Sequence, residues 1–136
     1  AYILVCATEA DVREAQPNFD VIRSLAGPDL LRTAITAATI KESEPSLDVA
    51  ITANAADYDF VSRYFAPHIG IDEDPVTGSL HTGLAPLWAE KLGKNQLVAF
   101  QASARGGELH CVMKENERVE ISGYAKLFMQ AEIIVE

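Results

Sequence analysis

A chain of 136 residues is the size of one ordinary domain and can bury a core of its own. It carries 20 acidic against 11 basic residues, a net charge of −9 with no cluster of Lys or Arg, which argues against nucleic acid and against an anionic membrane surface as partners. No apolar run approaches the roughly 20 residues of a membrane span and no signal-peptide pattern opens the chain, so a cytoplasmic location is expected.

In chain order, Tyr2 to Ala7 is a continuous apolar run that predicts a strand buried on both faces. The chain opens directly on this strand, as one half of a longer protein would. Thr8 with Asp11 three residues later predicts a helix N-cap with an acidic partner reaching back. Val12 and Ala15, then Phe19, Ile22, Leu25 and Ala26 beyond Pro17, keep helical spacing until Gly27-Pro28 ends the segment. Leu30 to Thr39 and Leu47 to Asn54 predict two strands joined by the polar span Lys41 to Ser46, and Tyr58 to Phe65 predicts another.

A helix is expected from about Ser79 to Leu92, closed by Gly93. Leu80, Leu84, Ala85, Leu87, Trp88, Ala89 and Leu92 make it apolar nearly all round, which predicts a helix enclosed by sheet and bent at Pro86. Leu109, Cys111 and Met113 then alternate with polar residues, and after a turn near Asn116 so do Val119 and Ile121. Ala125, Leu127, Met129, Ala131, Ile133 and Val135 hold every second position, the pattern of a long half-buried strand. With no linker and no repeat, residues 1–136 read as one α+β domain: a curved sheet around one buried helix, with a smaller helix outside.

Cys6 and Cys111 lack CxxC spacing and lie in apolar runs, so they read as two buried thiols in a reducing compartment. His68, His81 and His110 are too scattered to suggest a metal set, and none is expected.

The chemistry concentrates in Ile71-Asp72-Glu73-Asp74-Pro75-Val76-Thr77-Gly78-Ser79, where three carboxylates run into the start of the long helix. A helix N-terminus offers free N–H groups and the positive end of a dipole. Gly78 and Ser79 there allow an anion close approach, while Asp-Pro followed by Thr-Gly-Ser fits a plain turn and N-cap equally well. A P-loop is excluded, because no Gly-Lys-Ser/Thr follows. Arg105-Gly106-Gly107 reads as a turn between strands that also offers a second anion contact.

These residues resemble those of the phenazine-biosynthesis-like (PhzF-like) isomerase family. The resemblance is carried by Arg63-Tyr64-Phe65-Ala66-Pro67, Gly70-Ile71, Glu73-Asp74-Pro75-Val76-Thr77-Gly78-Ser79, Trp88-Ala89-Glu90-Lys91-Leu92-Gly93, Gln101, Arg105-Gly106-Gly107-Glu108-Leu109 and Val119-Glu120-Ile121-Ser122-Gly123, with Pro17-Asn18-Phe19 near the start. It covers the whole chain, and only the C-terminal half of the family. It implies one half of a diaminopimelate-epimerase-like fold: a strongly curved, mostly antiparallel sheet wrapped around a central buried helix.

It further implies cofactor-independent proton transfer on a small carboxylate-bearing substrate. Asp74 is then the catalytic residue, and Thr77, Gly78, Ser79 and Leu80 bind substrate. The family's other proton-shuttling Glu belongs to an N-terminal half that has no match here, so the chain alone is expected to be inactive and to need that half as a partner. Crowding by Asp72 and Glu73 and partial burial would raise the Asp74 pKa while the helix dipole would lower it, and Asp74 can carry a proton if the first two prevail. The alternative is a non-enzymatic binding module, or a half-domain that pairs with itself as a homodimer; a phosphate-binding protein ranks third.

Overall fold

The computed structural model describes residues 1–24 and 48–135. A six-stranded sheet runs in sequential order: β1 (Tyr2–Val5), β2 (Val49–Asn54), β3 (Phe60–Phe65), β4 (Gln96–Gln101), β5 (Gly107–Met113) and β6 (Val119–Gly123). β1–β2 and β3–β4 pair parallel, while β2–β3, β4–β5 and β5–β6 are antiparallel, so the sheet is mixed. Parallel neighbours need a crossover. Between β1 and β2 it includes two short helices, α1 (Glu9–Arg13) and α2 (Phe19–Ser24). Between β3 and β4 it is the short 3-10 turn Pro67–Ile69 followed by the long helix α3 (Gly78–Leu92).

The two faces of the sheet build two cores. Leu80, Leu84, Ala85 and Trp88 of α3 pack on Ala50, Phe60, Leu97, Ala99, Leu109 and Cys111. The opposite face buries Val12 and Ile22 from α1 and α2 against Val49, Ile51, Val61 and Phe65. Each large apolar side chain so enclosed contributes about 1.5–3 kcal/mol relative to exposure. The Trp88 indole N–H donates to the Thr52 hydroxyl at 3.0 Å, which donates in turn to the Val61 carbonyl at 2.7 Å.

Local signals in the sequence are realised closely. Thr8 and Asp11 form a capping box at α1. Pro17 separates α1 from α2, and Gly93 ends α3 in the left-handed conformation, φ 64°. Asn116 and Glu117 take positive φ in the turn between β5 and β6.

Three expectations are corrected. β1 is an edge strand among the described residues, paired only with β2, and Leu4 and Val5 stay about half exposed instead of buried on both faces. α3 is not enclosed: Gly78, Ser79, Thr82, Gly83, Pro86 and Glu90 are exposed, so it covers one face of the sheet. Pro86 lies inside this helix, on that exposed side. Residues 124–135 form no strand despite their alternation. A strand needs a neighbour for its ladder, and none of the described strands pairs with them.

β4 went unpredicted, since Leu97, Val98, Ala99 and Phe100 are all apolar and show no alternation. The predicted strand Leu30 to Thr39, the loop Lys41 to Ser46, Leu47, and Leu25 to Pro28 lie outside the described residues. No helix among the described residues is long and apolar enough to cross a membrane.

Candidate anion site at the start of the long helix

β3 and β4 run parallel, so their carboxyl ends lie at one edge of the sheet, where β5 begins and β6 ends. The loop from β3 into α3 crosses that edge. In open sheets with helical crossovers this is where ligands bind, because the helix N-termini gather there.

The three carboxylates before α3 have separate fates. Asp72 meets Arg23 of α2 at 2.7 Å. Glu73 takes a two-pronged bond from Arg63, at 2.7 and 3.0 Å, and the same guanidinium donates to the Ala15 carbonyl at 2.8 Å. Both are pins that hold the loop against the α1–α2 side of the sheet. Arg63 offsets the charge of Glu73, while Arg23 is shared between Asp72 and Asp20. Asp74 is the carboxylate of the three with no cation partner among the described residues. It accepts a hydrogen bond from the Thr77 hydroxyl.

That last bond explains the helix start. Thr77 is the N-cap of α3, yet it makes no side-chain cap bond to the first turn: its hydroxyl donates to Asp74, and its oxygen accepts from the Gln101 NH2 instead of from a first-turn amide. The amides of Gly78, Ser79 and Leu80 therefore have neither an intrahelical partner nor a side-chain cap, and no acidic residue lies in the first turn. Gly78 and Ser79 are exposed, Thr77 is buried, and the Leu80 side chain is in the core. Of the four residues predicted to bind substrate, Gly78 and Ser79 thus present side-chain and backbone surface. Leu80 can offer only backbone. The Thr77 amide and hydroxyl are both already spent.

The residue that holds this arrangement is Gln101, wholly buried at the end of β4. Its amide oxygen accepts from the Thr77 N–H at 2.8 Å, and its NH2 donates to the Asp74 carbonyl at 2.7 Å and to the Thr77 hydroxyl at 3.1 Å. Sequence reasoning matched Gln101 without giving it a role. The available signal was a polar residue two positions beyond Ala99, on the inward face of an apolar strand. The Asp74 N–H donates to the Tyr64 carbonyl at 3.0 Å. The Tyr64 phenol donates to Asp48, and burial together with the Asp48 carboxylate pushes its pKa well above the ordinary value.

Beyond Gly78 opens a cleft of about 480 Å³, lined by Val76, the turn at Arg105–Gly107 and the segment from Ile121 to Lys126. Cys111 is buried in the core, and burial pushes its thiol up to about 11. Cys6 is half-buried in the other layer, so neither thiol serves the cleft.

A mixed six-stranded sheet with helical crossovers, and an N-cap without a side-chain cap bond at its carboxyl edge, define the chain as an α+β protein. The Phenazine biosynthesis-like protein family model matches residues 2–131, and the chain belongs to that family. An uncharacterized isomerase of Pseudomonas aeruginosa is 54% identical over 131 residues, 96% of this chain and 42% of that protein. Another, of Halalkalibacterium halodurans, is 34% identical over 134 residues, 98% of this chain and 44% of its own length. A solved phenazine biosynthesis PhzC/PhzF protein from Clostridium difficile superposes with a TM-score of 0.78 at 40% identity, covering 98% of this chain and 44% of that one. The chain spans less than half the length of these relatives.

Proposed function

We propose that the chain is the C-terminal domain of an isomerase that moves a proton on a small carboxylate-bearing substrate, using side chains alone and no cofactor. The observation that carries this reading is the diverted cap: Thr77 gives its hydroxyl to Asp74 and leaves the first turn of α3 open. A substrate carboxylate docks on the amides of Gly78, Ser79 and Leu80 and on the Ser79 hydroxyl, stabilised by the positive end of the helix. Asp74, which accepts the Thr77 hydroxyl from three residues before it, serves as proton donor and acceptor. The names of the relatives, isomerases among them, support the reaction class.

In this reading the fold is one half of a diaminopimelate-epimerase-like pair with α3 at its centre. The second half supplies the opposing base and the far wall of the pocket, and the 136-residue chain alone does not turn over. The family relatives, more than twice as long, support this division. The acting partners are the substrate and that second half, in a cytoplasmic protein. A self-paired, non-enzymatic form is the second reading, favoured by the large apolar side chains exposed at Leu127, Phe128, Met129, Ile133 and Ile134.

The test uses the complete protein in D2O with a pool of small carboxylic acids, following deuterium incorporation by mass. Asp74→Asn should abolish exchange while leaving binding in place. Ser79→Ala should raise KM by about five- to thirtyfold, the equivalent of roughly 1–2 kcal/mol for one hydrogen bond, with kcat little changed. Full exchange by Asp74→Ala would remove Asp74 from the mechanism.

A further inference from the structure

The cleft beside α3 is lined by two cations, Arg105 and Lys126, and by one carboxylate, Glu108. Arg13, Arg23, Arg63, Lys94 and Lys114 each sit in an ion pair. Arg105 and Lys126 line the cleft and have no ion pair among the described residues, although the chain carries 20 carboxylates to 11 basic groups. Glu108 also reaches the cleft, where its carboxylate lies 3.0 Å from the His110 Nε2, so the two cations exceed the one carboxylate there. An excess of positive charge in a cleft beside the positive end of a helix favours an anionic ligand there.

Arg105 is not on a loose surface turn. The Gly106 N–H donates to the Ser103 hydroxyl oxygen at 3.0 Å, and that hydroxyl donates to the Pro75 carbonyl at 2.8 Å. Gly106 takes φ 70°, and a Cβ there would lie 2.7 Å from the Phe100 ring; one on Gly107 would lie 2.2 Å from Val76. Only glycines permit this approach, which ties the turn to the loop that leads into α3. The guanidinium is thereby held next to the same cleft that the helix N-terminus faces.

We infer that the cleft reads a second anionic group, so that the substrate is a small dicarboxylate, one carboxylate on the first turn of α3 and the other on Arg105 with Lys126 beside it. This rests on the reading of the α3 N-terminus as the seat of the first carboxylate. A guanidinium suits the second, since it presents paired N–H donors in the geometry of a carboxylate.

The test is an NMR titration of the 136-residue chain at fixed ionic strength, with acetate and with the dicarboxylate series from malonate to adipate. Acetate should shift the amides of residues 78–80. At least one dicarboxylate should bind about tenfold tighter and shift residues 105–107 as well. Arg105→Gln should bring that dicarboxylate to the acetate level and leave acetate binding as it was. Arg118→Gln removes the same charge outside the cleft and should keep the preference. Equal binding of acetate and every dicarboxylate, a preference that survives Arg105→Gln, or an equal loss in Arg118→Gln would overturn this inference alone. Amides 78–80 unmoved by acetate would overturn the first-carboxylate reading and this inference with it.

Discussion

Gln101 shows how one side chain can fix a site without facing it. A primary amide has one acceptor and two donor positions, and here all three protein contacts go to the stretch between Asp74 and Thr77. Replacing it by Leu leaves the Thr77 N–H and the Asp74 carbonyl without partners in a region closed to water. Gln101→Leu should therefore lower unfolding free energy by about 2 to 4 kcal/mol, measured by urea denaturation. Acetate binding at the start of α3 should weaken in the same variant, because the orientation of Thr77 and Asp74 depends on the amide. An unchanged urea midpoint would mean that these bonds do not hold the loop. The arginines tell a related story. Charge counting treated Asp72, Glu73 and Asp74 as one acidic cluster, whereas the fold brings Arg23 and Arg63 to the first two and leaves the third to Thr77.

α3 has an interior that is more polar than its sequence suggests. His81, one turn into the helix, is wholly buried and stacks on Phe60 at 5.8 Å. Its Nδ1 donates to the Thr77 carbonyl at 2.8 Å, while Nε2 is buried with no partner among the described residues. Burial pushes the imidazole below its ordinary value of 6.5, only partly offset by the bond to Thr77. The folded chain thus resists a proton that the unfolded chain accepts. Stability from this residue is present above pH 6.5, declines as pH falls below it, and levels off beneath the depressed folded value. Comparison of wild type with His81→Leu, by urea denaturation from about pH 8 down to about pH 5, isolates this contribution from the carboxylates and other histidines. The wild type should lose stability relative to the variant as pH drops. A difference that stays constant with pH would show that His81 is not kept neutral by the fold. The helix pattern alone could not reveal this, since a buried and an exposed histidine look the same in a sequence.

At the scale of the whole molecule, one sheet carries two unequal coverings. α3 covers one face, and α1 with α2 covers part of the other. What is left uncovered is the edge at β1 and the segment after β6, where Tyr124, Leu127, Phe128, Met129, Ile133, Ile134 and Val135 are each at least 70% exposed. So many large apolar groups in one short stretch exceed what a lone soluble surface ordinarily shows. The 136-residue chain should self-associate at tens of micromolar in sedimentation velocity, and replacing Leu127, Phe128 and Met129 by Ser should return it to monomer. A wild-type chain that stays monomeric would count against both an apolar second half and self-pairing as the cover for this segment.

Much of the site was legible before folding. Gly78 and Ser79 at a helix start, Asp74 before them, the capping box at Thr8 and the Gly93 stop are all short-range features. Their physics acts within three or four residues, so the sequence itself determines them, and the motif around Asp74 was specific enough to name the family. The alternation of β5 and β6 was legible for the same reason. Tertiary structure decided what depends on a partner distant in the chain. Arg23 and Arg63 reach Asp72 and Glu73 from distant elements, and the Thr77 hydroxyl at the start of α3 is engaged by Asp74 and by Gln101 of β4. The alternating residues after β6 have every local mark of a strand, yet a ladder forms only against a neighbour, and periodicity carries no information about which neighbour a chain will find.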